Sequence, residues 1–185
     1  MTDTAIVLDS ADDSSALKRA YSCFPSGVVA VCRRGGPADV DPADAPAGDG
    51  PIGMAASAFT TVSLDPPLVS VCVRRESATW PLLRTAPELG VSVFAADQGD
   101  LCRQLAGPPA HRFDGIEPLT AGGGALFLPG AVAHLLCTLA GEYEAGDHTV
   151  VLLRITSLCS DPGAEPLVFH ASTFRALEAR RESGG

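Results

Sequence analysis

Two long β-prone runs, residues 131–143 and 148–158, are joined by Glu144-Ala145-Gly146-Asp147 and constrain this chain more than any other feature. Their length and turn chemistry predict a hairpin. In the second run Thr149, Val151, Leu153 and Ile155 share one face, while His148, Val150, Leu152 and Arg154 share the other, which is the period of a strand. Five further runs read as strands: VVAVC at 28–32, Ile52 to Ser57, Leu68 to Arg74, Gly90 to Phe94, and 166–170. Only short helices fit between them. SSALKRAYS places Ala16, Leu17, Ala20 and Tyr21 on one stripe, Ser77 or Thr79 can cap SATWPLLRT, and Asp97 is the expected N-cap of QGDLCRQLAG. FTTVSLDPP reads as an extended corner, because Pro66 and Pro67 deny donors to a ladder. About seven strands with short helices predict a small closed or split β-barrel rather than a doubly wound sheet.

The length of 185 residues suits one domain, expected over 14–177, with a disordered N-terminus at 1–13 and a tail at 178–185. The Pro, Gly, Ala and Asp repeats of RGGPADVDPADAPAGDG predict a flexible loop over 35–50. A net charge of −9 would repel phosphate backbones and argues against nucleic acid as a partner. No apolar run approaches the ~20 residues of a membrane helix, and MTDTAIVLDSADDSS lacks a basic start and apolar stretch, so a cytoplasmic protein is expected.

Six cysteines never approach a C-x-x-C spacing and are expected to be buried free thiols, and the four histidines form no cluster at ligand spacing, so no metal site is expected. Neither G-x-x-x-x-G-K-[ST] nor G-x-G-x-x-G occurs, and there is no G-x-S-x-G elbow. Any nucleotide must therefore be held without either phosphate loop. What remains is a set of polar residues at strand ends. Arg74, Arg75, Ser77 and Thr79 set two cations before a helix N-terminus, a combination that suits a phosphate; a solvated strand end with a capping serine fits the same residues. Ser57, Thr60 and Thr61 read either as ligand hydroxyls or as turn residues. Arg103 and Arg112 read as surface charges, His148 as an exposed turn histidine, and Phe169, His170 and Phe174 as core contacts.

FPSGVVAV (24–31), GMAASAFTTVSLDPPLVSVCV (53–73), GVSVFAADQGDLCRQLAG (90–107), RFDGI (112–116), AGDHTVVLLRI (145–155) and PLVFH (166–170) together resemble the flavin reductase family of the FMN-binding split barrel. The ordered set covers about residues 14–177. The resemblance implies a mainly β fold, an antiparallel split β-barrel of Greek-key type with six or seven strands and a few short helices. It also implies a homodimer and the NAD(P)H:flavin oxidoreductase activity that supplies diffusible reduced flavin to a partner flavin-dependent monooxygenase, with secondary metabolism as one setting. The cofactor would be FAD or FMN, with NADH as hydride donor and no membrane partner.

By resemblance, Met54, Ala55, Ala56, Ser57, Ala58 and Thr61 line the isoalloxazine and ribityl chain, and Arg74, Ser77 and Thr79 lie on the phosphate side. Phe94, Ala95, Gln98 and Arg103 form a second wall, Phe169 joins the flavin-contacting set, and His148 in Gly-Asp-His stands near the nicotinamide as the catalytic candidate. Family members commonly carry hydroxyl-rich Thr-Val-Ser-Ser where this chain has Ala55-Ala56-Ser57-Ala58, which leaves flavin contacts there to backbone amides. A non-enzymatic flavin- or haem-binding split barrel and a pyridoxamine phosphate oxidase-like enzyme are the competing readings.

Overall fold

The computed structural model describes residues 6–36 and 50–178. Residues 1–5, 37–49 and 179–185 lie outside the described residues, and with them most of the expected loop and tail and part of the expected N-terminal segment. Among the described residues, twelve strands and three α-helices, besides two short 3₁₀ turns, follow in order: α1 (Ser14–Ser22), β1 (Ser26–Gly27), β2 (Val29–Arg34), β3 (Pro51–Ala56), β4 (Phe59–Leu64), β5 (Pro67–Arg74), α2 (Trp80–Leu83), β6 (Leu89–Val93), α3 (Gly99–Ala106), β7 (Leu119–Thr120), β8 (Leu126–Phe127), β9 (Ala133–Ala145), β10 (His148–Ser160), β11 (Val168–His170) and β12 (Thr173–Arg175).

Seven strands form one antiparallel sheet in the order β3-β2-β6-β9-β10-β5-β4. Its two edge strands, β3 and β4, are joined by only Ser57 and Ala58. In a flat sheet six strand spacings would hold them roughly 29 Å apart, whereas three consecutive Cα–Cα links reach at most about 11 Å. The sheet is therefore rolled into a barrel that is closed by the chain, not by a hydrogen-bonded ladder between its edges. Val29, Val31, Val69, Val71, Val91, Val151 and Leu153 fill the interior, and Trp80 and Leu83 of α2 pack against the same cluster. Slips in the β9–β10 register at Leu152/Leu153 and Ile155/Ser157 add the bends that rolling requires.

The other face of β2 builds a second core. Val28, Ala30 and Cys32 pack there with Phe94, Leu128, Leu167 and, from α3, Cys102 and Leu105. Burial on both faces is why VVAVC is apolar without alternation. The small sheet β1-β11-β12 joins this layer, tied by Leu167 N–H donating to Phe94 O at 2.8 Å and Ala96 N–H to Glu165 O at 2.8 Å.

Several expectations need correction. FTTVSLDPP is not a bare corner: 59–64 is the edge strand β4, and Pro66 and Pro67 are tolerated because the turn and the first residue of β5 fall there. The hairpin turn is shorter than expected, Gly146-Asp147 alone, with Gly146 at φ 63°. The run 166–170 belongs to the small sheet, and β4 takes its place among the seven strands. Asp13 caps α1, its carboxylate accepting from Ser15 N at 2.8 Å, but of the expected stripe only Ala16 is buried and Tyr21 is 71% exposed. Gln98, not Asp97, is the N-cap of α3. Cys32, Cys102 and Cys137 are buried as expected, whereas Cys72 is half-buried and Cys23 and Cys159 are exposed.

Candidate flavin and nucleotide groove

The rolled sheet brings the end of β3, the end of β5 and the start of β10 to one rim, where His148 pairs directly with Arg74 across the ladder. The segment 76–79 leads into α2 beside them, and the end of α3 with the 3₁₀ turn Pro109–His111 closes the opposite side. Between these elements lies a groove of about 880 Å³, within the range of small-molecule sites. Met54, Ala55, Ala56, Cys72 and Val73 give it an apolar side, and Arg74, Glu76, Ser77, Thr79, Arg112 and His148 supply its polar groups.

Arg112 ties this groove together. Its Nε donates to Gly107 O at 2.8 Å, and its Nη1 donates at 2.8 Å both to Gly53 O and to the Thr79 hydroxyl. One planar guanidinium thus joins α3, β3 and the start of α2. Partial burial pulls its pKa below the ordinary arginine value. Gln104 supports the turn that presents it, its Nε2 lying 2.9 to 3.3 Å from the carbonyl oxygens of His111, Arg112 and Asp114. Thr79 is buried and its oxygen is used by Arg112, which leaves its O–H as the group it can offer a ligand. The Ser77 hydroxyl accepts from Trp80 N–H at 3.2 Å, so it holds the first amide of α2, whose N-cap position is Thr79, and also lines the groove. Helix α2 is in turn fixed to β9, where the Trp80 indole N–H donates to Glu142 at 2.7 Å. Arg75 turns away toward Glu144, 3.9 Å off, so only Arg74 of the two adjacent cations faces the groove.

His148 is partly exposed, and its Nδ1 lies 2.8 Å from the Asp147 carboxylate. The hydrogen bond from His148 is the main reason that Asp147 sits below the usual carboxylate range, with the charge of His148 next and Arg74 a minor cause. A carboxylate on Nδ1 leaves Nε2 as the ring nitrogen free to meet a ligand.

A second cleft of about 490 Å³ adjoins the groove and shares Ala55, Ala56, Ser57 and Ala106 with it. Arg103, Phe169 and Phe174 line its far side. The Arg103 guanidinium lies 4.8 Å from the centroid of the Phe174 ring and pairs with Asp100 at 2.6 Å, while Phe169 and Phe174 meet edge to face at 5.6 Å.

Of the residues expected at the site, Met54 to Ala58, Arg74, Ser77, Thr79 and His148 come together in the groove, and Arg103 and Phe169 line the adjoining cleft. Four lie elsewhere. The Phe94 side chain is fully buried in the second core, Ala95 is buried beside it, and Thr61 is exposed on β4. Gln98 Oε1 accepts from Ala95 N–H at 3.0 Å and its Nε2 donates to Pro129 O at 2.8 Å, so its amide serves the loop before α3. Arg112, a surface charge by its local sequence, instead lines the groove, and the RFDGI segment that carries it is the signal for it in the sequence.

These residues fit a flavin. The run Ala55-Ala56-Ser57-Ala58 gives small side chains along the groove, Arg74 and the Thr79 hydroxyl offer charge and a donor for phosphate at one rim, and the lining that the groove shares with the cleft places the two side by side.

Comparison with known proteins shows the family. The model of the flavin reductase-like domain matches residues 21–178. An NADH-dependent flavin reductase from a Rhodococcus species is 38% identical over 96% of this chain and 94% of its own length. The reductase subunit of a flavin-dependent monooxygenase from Rhodococcus jostii is 30% identical over 69% of this chain and 66% of its own. Among solved structures, the NADH:FAD oxidoreductase of Streptomyces globisporus, in complex with NAD and FAD fragments, has a TM-score of 0.82 and 32% identity, covering 96% of this chain and all of that one. The rolled antiparallel barrel, the ordered motifs and these matches agree: the chain belongs to the flavin reductase-like domain family.

Proposed function

We propose that this protein is an NADH-dependent flavin reductase that reduces FAD or FMN and releases the reduced flavin to a separate flavin-dependent monooxygenase. The observation that carries the reading is the wall Ala55–Ser57 and Ala106, common to the 880 Å³ groove and the 490 Å³ cleft. On this reading the groove and the cleft form one continuous surface over this shared lining, on which two flat ligands stack in direct contact, as hydride transfer between two ring systems needs. A bound flavin supplies the hydride-accepting ring and NADH the hydride.

The residues of the chain bind, orient and exclude water. Met54, Ala55 and Cys72 offer apolar surface on which a ring displaces solvent. Arg74 and the Thr79 hydroxyl hold phosphate, with Ser77 at the same rim, and Arg112 fixes Thr79 and the carbonyl of Gly53. His148 Nε2 meets the nicotinamide side, its ring set by Asp147, and it neither gives nor takes a proton in the hydride step. Arg103 and Phe169 serve the second ligand in the adjoining cleft. Among the described residues only Arg74, Arg103 and Arg112 bring cations to these clefts, so attraction of a phosphorylated ligand by a chain of net charge −9 is local to them.

The reading includes a homodimer in the cytoplasm. Val62 and Leu64 of the edge strand β4 are 48% and 97% exposed, an apolar edge that a second copy would cover. The test is steady-state oxidation of NADH and of NADPH with FAD, FMN and riboflavin in turn. Turnover that requires added flavin supports the reading. Flavin held tightly through purification, with no NADH oxidation, would favour a flavin-binding protein or an oxidase instead.

A further inference from the structure

Cys159 on β10 and His134 on β9 are direct cross-strand partners, eleven residues beyond His148 and so roughly 36 Å along the strand from the groove. The Cys159 Sγ lies 3.5 Å from His134 Nδ1. On the other side of the ring, Nε2 lies 2.8 Å from Leu128 O, and a carbonyl oxygen can only accept. Nε2 therefore carries the proton, and in the neutral ring Nδ1 presents its lone pair to the thiol. The Phe127 ring meets His134 edge to face at 5.2 Å and fixes its plane. A thiol within reach of a base, with the base oriented by a third group, is the arrangement of an activated nucleophile. Cys159 is exposed, and so is Cys23, but Cys23 Sγ donates to the carbonyl of Arg19 at 3.4 Å, a group that cannot take a proton.

We propose that Cys159 and His134 form a peroxide-reactive pair, a site of reversible oxidation separate from the flavin groove. His134 Nδ1 accepts the thiol proton. The sulfur attacks one oxygen of hydrogen peroxide, an S–O bond forms and the O–O bond breaks. Sulfur loses two electrons to become a sulfenic acid, peroxide gains them, and the departing hydroxide takes the proton from His134 and leaves as water. The source of peroxide rests on the proposed activity, because reduced flavin set free in air passes two electrons and two protons to dioxygen.

The test does not depend on that activity. The purified protein is exposed to added hydrogen peroxide, sulfenic acid is trapped with dimedone, and labelling is measured at each cysteine by peptide mass spectrometry. Cys159 is expected to label about tenfold faster than Cys23. His134→Phe keeps the ring packing on Phe127 and His134→Gln keeps an N–H for Leu128 O. Either variant, if folded, should bring Cys159 down to the rate of Cys23 with flavin reductase turnover unchanged. Equal labelling of Cys159 and Cys23 in the unmutated protein, or an unchanged Cys159 rate in a folded His134 variant, would overturn the proposal.

Discussion

Arg112 Nη1 stands 2.8 Å from the Thr79 hydroxyl oxygen, joining two residues that are 33 positions apart in the chain. The same nitrogen holds Gly53 O, and Nε holds Gly107 O, so the guanidinium spans three segments around the groove. Arg112→Lys keeps the charge and loses the fork. Loss of charge-assisted hydrogen bonds at a half-buried site costs about 2 kcal/mol, which for a chain of this size lowers the melting temperature by roughly 4–8 °C. Thr79→Val removes one contact and should cost about half as much. Thermal melts check both, and a lysine variant that melts like the parent would show that the bridge is dispensable.

Arg74 lines the groove beside His148 and faces the rim assigned to phosphate. Arg74→Ala should weaken FAD and FMN by about 1.5–3 kcal/mol, or roughly 10- to 150-fold, and leave riboflavin unchanged. Fluorescence titration with the three flavins separates the outcomes. Equal losses for all three would mean that Arg74 shapes the groove and does not bind phosphate.

His148 carries Asp147 on Nδ1 at 2.8 Å and leaves Nε2 for the nicotinamide side. His148→Ala should raise the NADH requirement and slow flavin reduction about 10- to 100-fold, or roughly 1.4–2.7 kcal/mol of lost positioning, with flavin affinity unchanged. Anaerobic stopped-flow reduction reads the rate, and a separate titration reads the affinity. Unchanged NADH dependence would remove His148 from the site.

Burial pushes the thiols of Cys32 and Cys137 up to about 12 and that of Cys102 up to about 11. A raised folded pKa means that these groups stabilise the fold below the unfolded thiol value, near 8.5, and that this contribution is lost as pH rises toward 11–12. Chemical denaturation should therefore show stability falling above about pH 9. At pH 8, Ellman's reagent should find Cys23 and Cys159 quickly, Cys72 slowly, and the three buried thiols only after unfolding. Fast reaction of all six in the folded protein would contradict the two cores.

Strand alternation made the long hairpin readable, because Val151 and Leu153 had to share a face and do fill the barrel. The edge strand β4 was hidden by Pro66 and Pro67, whose missing donors matter only where a ladder needs them. Composition favoured buried thiols everywhere, yet β10 runs past the barrel and leaves Ser157 to Ser160 exposed, Cys159 among them. Arg74, Ser77 and His148, which the family resemblance singles out, lie at strand ends or turns around the groove. Arg112 escaped because its role depends on Gly53, 59 residues away, and no local spacing encodes that contact. Phe94 stood in a flavin-site motif although its side chain fills the second core, since a burial preference in sequence does not say which surface is covered.

Ser57 is exposed and lines both the groove and the adjoining cleft, which makes it the position where one substitution can block both. The most direct measurement compares FAD-dependent NADH oxidation by the parent and by Ser57→Trp, with melting temperature as the control for folding. A bulky indole at the shared wall should cut turnover at least about 100-fold while the melting temperature holds, because near-attack geometry does not survive separation of the two rings. A folded Ser57→Trp variant with the turnover of the parent would contradict the claim that flavin and nicotinamide stack over this shared lining.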